Sequence, residues 1–151
     1  MALVTYVNGR YLPHAWAAVP VDDRGYQFAD GVYEVIAFFN RTLVDNKAHM
    51  ERLRRSLEEL RIPLPMPLPA LERVMQEIIT RSRREHGNIY LQITRGSAPR
   101  NHPFPKLTTP SLVVSAFAWK VPSRQMVEAG VEVITHPEER WARPDIKSIS
   151  V

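Results

Sequence analysis

Hydrophobic and polar residues alternate along the first part of the chain with the period of a β-strand. Residues 3–7 alternate, an Asn-Gly pair follows, and residues 10–12 return, which predicts a β-hairpin with a tight turn. Residues 31–39 form a longer segment rich in β-branched and aromatic residues, and residues 42–44 are expected to pair back onto it. The chain is therefore expected to open with antiparallel strands.

Two stretches of helical periodicity follow these strands. The first has apolar residues spaced by three and four positions, with Asp45 or Asn46 placed to cap it. Prolines at alternate positions from 63 to 69 form a stiff connector, because proline cannot continue a helix. The second helix is expected to stop at Gly87. The apolar faces comprise Met50, Leu53, Leu57 and Leu60 in the first helix, and Leu71, Val74, Met75, Ile78 and Ile79 in the second.

Strand patterns return after the second helix. Residues 88–95 alternate between an apolar face and a hydrogen-bonding face that includes Tyr90, and this second face suits either exposed sheet or a pocket wall. A proline-rich loop occupies residues 96–110, and segments 112–119 and 131–135 are predicted as strands. The order of strands, two helices and further strands predicts an α+β fold, a mostly antiparallel sheet with two helices on one side.

Composition excludes several classes of chemistry. The absence of cysteine excludes disulfides, thiolate metal sites and a cysteine nucleophile, and it is typical of a cytoplasmic protein. The first residues lack the basic and apolar segments that a secretory signal would show, and no apolar run reaches the roughly 20 residues of a membrane helix. The five histidines lack metal-ligand spacing, and glycine-rich phosphate loops are absent. The net charge of +4 comes with arginines interleaved with glutamates, which indicates solvated helix faces rather than a nucleic-acid surface.

One lysine stands apart from the other three. Lys147 lies in an apolar strand-like run, whereas Lys47, Lys106 and Lys120 have polar or turn-like surroundings. Desolvation would disfavour its ammonium form and leave a nucleophilic amine, as Schiff-base chemistry requires. The alternative is a strand lysine whose stem packs on apolar surface while its head reaches water. Taken alone, these residues favour the alternative.

The proline-rich loop carries a second candidate site. Arg100 and His102 lie two residues apart among three prolines. A guanidinium can bind a carboxylate through two hydrogen bonds, a nearby imidazole adds a donor, and prolines reduce the entropy lost in holding that geometry. An exposed basic loop without a ligand is the alternative, which composition alone slightly favours.

Four separated motifs resemble one enzyme family. They are residues 24–35 (RGYQFADGVYEV), 49–53 (HMERL), 90–105 (YLQITRGSAPRNHPFP) and 145–148 (DIKS). In this order and spacing they resemble the class IV, fold-type-IV pyridoxal-phosphate aminotransferases, and the arginine–histidine loop resembles the D-amino-acid aminotransferase branch. The likeness extends over essentially the whole chain.

The resemblance implies roles in cofactor binding for two residues. Lys147 would bind pyridoxal 5′-phosphate as a Schiff base, and after release by the substrate amine it would move a proton between the substrate Cα and the cofactor. Arg52 would bind the cofactor phosphate. Without the resemblance, Arg52 would be taken as a solvated helix arginine.

The resemblance also implies a substrate site. Tyr33, Arg100 and His102 would bind the substrate α-carboxylate, with Arg100 and His102 reaching across from the partner subunit of a homodimer. Tyr90 would lie near this site. The implied substrates are D-alanine-like amino acids and 2-oxo acids.

The same resemblance implies how the chain is divided. Residues 1–120 would form a small N-terminal α+β domain, and residues 121–151 an interdomain linker with the first strands of a larger cofactor-binding domain. We expect residues beyond Val151 to supply the group opposite the pyridine nitrogen and most phosphate contacts, so that the 151-residue piece alone is inactive.

Three other functions stay open at this point. A branched-chain L-amino-acid aminotransferase or an aminodeoxychorismate lyase of the same superfamily would keep Lys147 and Arg52 without the paired Arg100 and His102. A basic binding module for an anionic partner would need no cofactor.

Overall fold

The alternating segments of the chain form one antiparallel sheet in the computed structural model, which describes residues 3–119, 122–137 and 142–150. The strands are β1 (Val4–Val7), β2 (Arg10–Pro13), β3 (Gly31–Phe39), β4 (Thr42–Leu43), β5 (Gly87–Thr94) and β6 (Ser111–Phe117). The α-helices are α1 (Arg24–Phe28), α2 (Asn46–Glu59), α3 (Leu68–Ser82) and α4 (Arg124–Ala129), and a short 3-10 helix covers His14–Trp16. The sheet has six strands in the order β2-β1-β6-β5-β3-β4, and every pair is antiparallel.

Local sequence explains the first turn. Asn8 and Gly9 have φ of 45° and 93°, and positive φ at both positions is what a tight hairpin turn between twisted strands requires. The predicted hairpin is confirmed.

The two long helices, α2 and α3, cover one face of the sheet. Alternate residues of the three central strands face them and are almost completely buried, because side chains along a strand point to opposite faces. These are Val32, Ile36 and Phe38 of β3, Ile89, Leu91 and Ile93 of β5, and Leu112, Val114 and Ala116 of β6. The predicted α+β fold, with two helices on one side of an antiparallel sheet, is confirmed.

Helix ends differ from the sequence prediction. α3 ends at Ser82 because Arg83 adopts a left-handed backbone with φ of 56°. Gly87 is not the stop but the first residue of β5, where a Cβ atom would lie 2.5 Å from the Phe117 carbonyl oxygen. Asp45 precedes α2 as predicted, yet its side chain makes no capping hydrogen bond.

The last part of the chain is less regular than predicted. Residues 131–135 do not form a strand, since Val131 and Ile134 are 82% and 89% exposed and no strand of the described residues pairs with them. The run around Lys147 makes a single β-bridge, between Ser148 and Val32, rather than a strand. The predicted domain boundary at residues 120 and 121 lies outside the described residues. None of the helices in the described part of the chain combines the length and apolar character that crossing a bilayer requires.

Candidate active site

The segment around Lys147 is fixed between β3 and α2. The Tyr33 N–H donates to the Lys147 carbonyl at 3.0 Å, and the Ile149 N–H donates to the Gly31 carbonyl at 3.1 Å. From the other side, the Lys147 N–H donates to the Ser56 Oγ at 3.0 Å. The main chain of Lys147 therefore has partners on both elements, although it is not part of a regular strand.

The Lys147 side chain lies on an aromatic pair. Its Nζ is 4.5 Å from the centre of the Tyr33 ring, and the Tyr33 and Tyr90 rings stack at 5.9 Å with 27° between their planes. The Tyr90 hydroxyl donates to Gln92. Burial, and then the neighbouring Tyr33, raise the pKa of Tyr90, so that its hydroxyl keeps its proton to higher pH than a free tyrosine does. The expected partial burial of Lys147 is present, and this residue is brought together with two of the predicted substrate residues.

The guanidinium of Arg52 is held by the carboxylate of Glu34, which lies on the opposite face of β3 from Tyr33. Its Nε and Nη2 donate to the two oxygens of Glu34 at 2.8 Å and 2.6 Å, and His49 Nδ1 lies 2.8 Å from Glu34. Glu34 is completely buried, whereas the Arg52 side chain is 37% exposed. The hydrogen bonds to Glu34 raise the pKa of Arg52 further above its ordinary value. The Arg52 guanidinium is therefore a fixed cation whose Nε and Nη2 are already bound to Glu34.

The other edge of Arg52 can accept an anion. Within the described residues, Nη1 has no hydrogen-bond partner. Arg52 also lies one helical turn before Ser56, the residue that binds the Lys147 main chain, and such positions are about 6 Å apart at Cβ. A molecule bound covalently to Lys147 could thus place an anionic group near Arg52.

Arg100 and His102 form a separate cluster. The Arg100 Cζ lies 5.2 Å from the centre of the Phe28 ring, and the His102 ring lies 5.4 Å from it. Within the described residues, neither side chain hydrogen-bonds to Tyr33 or Lys147. His102 shares a cleft of about 240 Å³ with Ser148, the neighbour of Lys147. Of the predicted residues, Lys147, Tyr33 and Tyr90 are thus brought together, whereas Arg52 lies with Glu34, and Arg100 and His102 lie with Phe28.

Sequence reasoning missed Glu34 and its pairing with Arg52 and His49. A signal was available, because Glu34 occupies an inward position between Val32 and Ile36 in an alternating strand. A buried carboxylate needs partners of opposite charge or hydrogen-bond donors. Helix α2 supplies both, and Arg52 was singled out without the residue that orients it.

Sequence comparison identifies the family. Residues 31–151 match the profile described as amino-transferase class IV. The chain belongs to the class IV aminotransferases. It is 39% identical over 144 residues to a D-alanine aminotransferase of Bacillus licheniformis, covering 95% of this chain and 50% of that protein. It is 38% identical over 150 residues to one of Staphylococcus epidermidis, covering 97% and 52%. The chain spans about half the length of the curated relatives it matches.

Structural comparison gives the same fold. A branched-chain amino acid aminotransferase from Escherichia coli superposes with a TM-score of 0.74 at 20% identity, and the match covers 79% of this chain and 42% of that one. A second branched-chain amino acid aminotransferase, solved with pyridoxamine 5′-phosphate, superposes with a TM-score of 0.72 at 22% identity. That match covers 80% of this chain and 41% of the other. At these identities the likeness concerns the fold alone.

The class IV aminotransferases use pyridoxal 5′-phosphate, and the described residues fit that cofactor. An aldehyde needs an amine, which Lys147 presents on the Tyr33 ring, and a phosphate needs a fixed cation, which Arg52 provides. Within the described residues, no group of histidine and acidic side chains could hold a metal ion.

Proposed function

We propose that the full-length protein is a pyridoxal-phosphate-dependent transaminase that moves an amino group between a D-alanine-like amino acid and a 2-oxo acid. The observation that carries the proposal is the clamped Lys147, whose Nζ lies 4.5 Å from the Tyr33 ring centre while Ser56 and Tyr33 hold its main chain. The identity of 39% and 38% to D-alanine aminotransferases, spread over nearly the whole chain, supports this substrate class.

Each residue has a defined task in this proposal. The bound cofactor would withdraw electrons from the substrate Cα–H bond. Lys147, released by the incoming amine, would take that proton and return it, since its main chain is bound to Tyr33 and its Nζ lies on the Tyr33 ring. Arg52 would bind the phosphate through its unoccupied edge, and Glu34 would keep that edge pointed in one direction.

Recognition of the substrate carboxylate falls to Arg100, His102 and Tyr33. A guanidinium and an imidazole next to each other on a stiff loop suit a planar anion. Because Arg100 and His102 lie on Phe28 and make no hydrogen bond to Tyr33 among the described residues of one chain, we infer a homodimer in which they complete the site of the partner subunit. Tyr90 would support Tyr33 by stacking on it.

The division of the chain follows from the same proposal. Residues 1–120 form the small domain, and residues 121–151 lead into a larger cofactor-binding domain that the relatives' greater length accommodates. A transaminase needs a partner for the pyridine nitrogen, and we propose that residues beyond 151 supply it. The 151-residue chain alone is then expected to be inactive. A cytoplasmic location is proposed from the absence of cysteine.

Covalent trapping tests the proposed lysine. Borohydride treatment of the full-length protein, followed by peptide mapping, is expected to leave the cofactor on Lys147. Lys47→Ala, which changes a lysine that is 91% exposed, is the matched control and should label as the unaltered protein does. Label on another lysine would contradict the assignment. A colourless protein that takes up no pyridoxal phosphate would favour the anion-binding module instead.

Substrate preference tests the branch of the family. The protein is expected to turn over D-alanine with 2-oxoglutarate and to leave L-leucine unchanged. Arg100→Ala removes a charge-assisted contact, which typically contributes about 1.5 to 3 kcal/mol, so kcat/KM for D-alanine should fall about 10- to 150-fold. Cofactor occupancy should be unaffected. Preference for L-leucine would identify the branched-chain alternative.

A further inference from the structure

We propose that Phe28 and Arg24 are positioning residues that hold Arg100 and His102 in the geometry needed to bind a carboxylate. This inference rests on the proposed function, in which Arg100 and His102 bind the substrate carboxylate. The loop between β5 and β6 contains no helix or strand that would hold these two exposed side chains in place.

The loop is closed at its base. Gly96 has φ of 94°, and a Cβ atom there would clash with the Thr109 carbonyl oxygen. Only glycine allows the two ends of the loop to approach so closely. This contact fixes where the loop leaves the sheet but not where its middle lies, because several residues separate the base from Arg100.

Arg24 fixes the main chain in the middle of the loop. Its Nη1 donates to the Asn101 carbonyl at 2.7 Å, and its Nη2 donates to the His102 carbonyl at 3.4 Å. The Nε donates to Asp30 at 2.8 Å, and the side chain is only 3% exposed. A single buried guanidinium thus holds two successive carbonyls next to Arg100.

Phe28 fixes the side chains. Its ring lies 5.2 Å from the Arg100 Cζ and 5.4 Å from the centre of the His102 ring. The Arg24 Cζ lies 4.7 Å from the same ring. Arg24 and Phe28 are one turn apart on α1, so they project from the same side of this short helix. One aromatic ring therefore supports both proposed carboxylate ligands.

A buried charge network ties this support to the rest of the domain. Asp30 accepts hydrogen bonds from Arg24 and, through both oxygens, from Arg95. Arg95 also donates to the carbonyls of Leu60 and Arg61, where α2 ends. The loop is thereby connected to the C-terminal end of α2, the helix that carries Arg52.

The physical consequence is preorganisation. An arginine on an exposed loop samples many rotamers, and binding must select one of them. Packing against Phe28 restricts Arg100 and His102 before the substrate arrives. The support is thus expected to act on carboxylate binding rather than on proton transfer.

Phe28→Leu in the full-length protein tests the proposal, because leucine keeps apolar volume but loses the aromatic face. In single-turnover half-reactions, we expect the half-saturating concentration of D-alanine to rise about 5- to 20-fold while the limiting rate changes little. Ethylamine, which is D-alanine without its carboxylate, should react as with the unaltered protein. Phe28→Tyr, which keeps the aromatic ring, should bind D-alanine as the unaltered protein does. Tyr26→Leu, an aromatic replacement on the same helix at a residue 77% exposed, is the matched control.

Comparison with Arg100→Ala separates this inference from the proposed function. If Arg100→Ala weakens D-alanine binding and Phe28→Leu does not, the positioning role is wrong and the proposed function stands. If Arg100→Ala has no effect, the carboxylate site is wrong and the inference fails with it. Equal losses for D-alanine and ethylamine in Phe28→Leu would also overturn it, because they would indicate general disruption. In the background Arg100→Ala with His102→Ala, Phe28→Leu should cause no further loss.

Discussion

The two faces of the six-stranded sheet differ in burial although they are built from the same strands. On the face covered by α2 and α3, Val32 and Ile93 are completely buried. On the other face, Tyr33 and Gln92 are only partly buried, and Lys147 lies against Tyr33. Because the side-chain period of a strand is two residues, a shift of one position in β3 moves a side chain from the core to the candidate site. Stability and chemistry are thus carried by alternate residues of one strand.

Glu34 is the one charged residue among the inward-facing positions of β3. It occupies a core position but is charged, and it binds Arg52 and His49 of the covering helix. A buried carboxylate is tolerated only when it is paired and hydrogen-bonded. The helix-covered face therefore contributes to the candidate site by orienting Arg52.

The largest effect on stability is expected from replacing Glu34. Glu34→Ala leaves Arg52 and His49 without their carboxylate and opens a space in the core, so the free energy of unfolding of the 151-residue chain should fall by about 3 kcal/mol. Glu51→Ala is the matched control, because Glu51 is 62% exposed and lies 4.0 Å from Lys47. It should change stability by less than about 1 kcal/mol. Urea denaturation measures both, and equal losses would show that Glu34 has no special role.

A neighbouring pair of valines compares the two faces directly. Val114 is completely buried under the helices, whereas Val113, the preceding residue of β6, is partly exposed on the other face. Val114→Ala should lower the free energy of unfolding by about 2 kcal/mol and Val113→Ala by about 0.5 kcal/mol. Urea denaturation of the two variants of the 151-residue chain gives the difference. Similar losses would mean that both faces are equally buried.

The smallest effect concerns the pH dependence of stability. Burial raises the pKa of Tyr90 above its ordinary value of 10.0, so the folded state holds this proton more tightly than the unfolded state does. The resulting stabilisation is fully present below pH 10.0 and is lost as the pH rises through the higher pKa of the folded state. Tyr90→Phe removes the titrating group, so the stability of this variant should fall less steeply above pH 10.0 than that of the unaltered protein. Thermal unfolding of both proteins across this range tests the prediction, and identical slopes would contradict it.

Local patterns in the sequence determined most of the secondary structure. The Asn-Gly pair predicts the hairpin because few other residues adopt positive φ at both turn positions. The alternation in β3 and the helical spacing of α2 predict which side chains are buried. Patterns fail where a neighbour is required, and residues 131–135 alternate like a strand without forming one.

The sequence also singled out Lys147, because a lysine among isoleucines is conspicuous. Only the tertiary structure brought it to Tyr33, across more than a hundred residues of chain, through hydrogen bonds to β3 and α2. Only the tertiary structure gave Arg52 its buried partner Glu34 and placed Arg100 on Phe28. Short-range patterns reflect the geometry of the backbone, whereas these contacts depend on how strands and helices pack, and that packing decides which charged side chains meet.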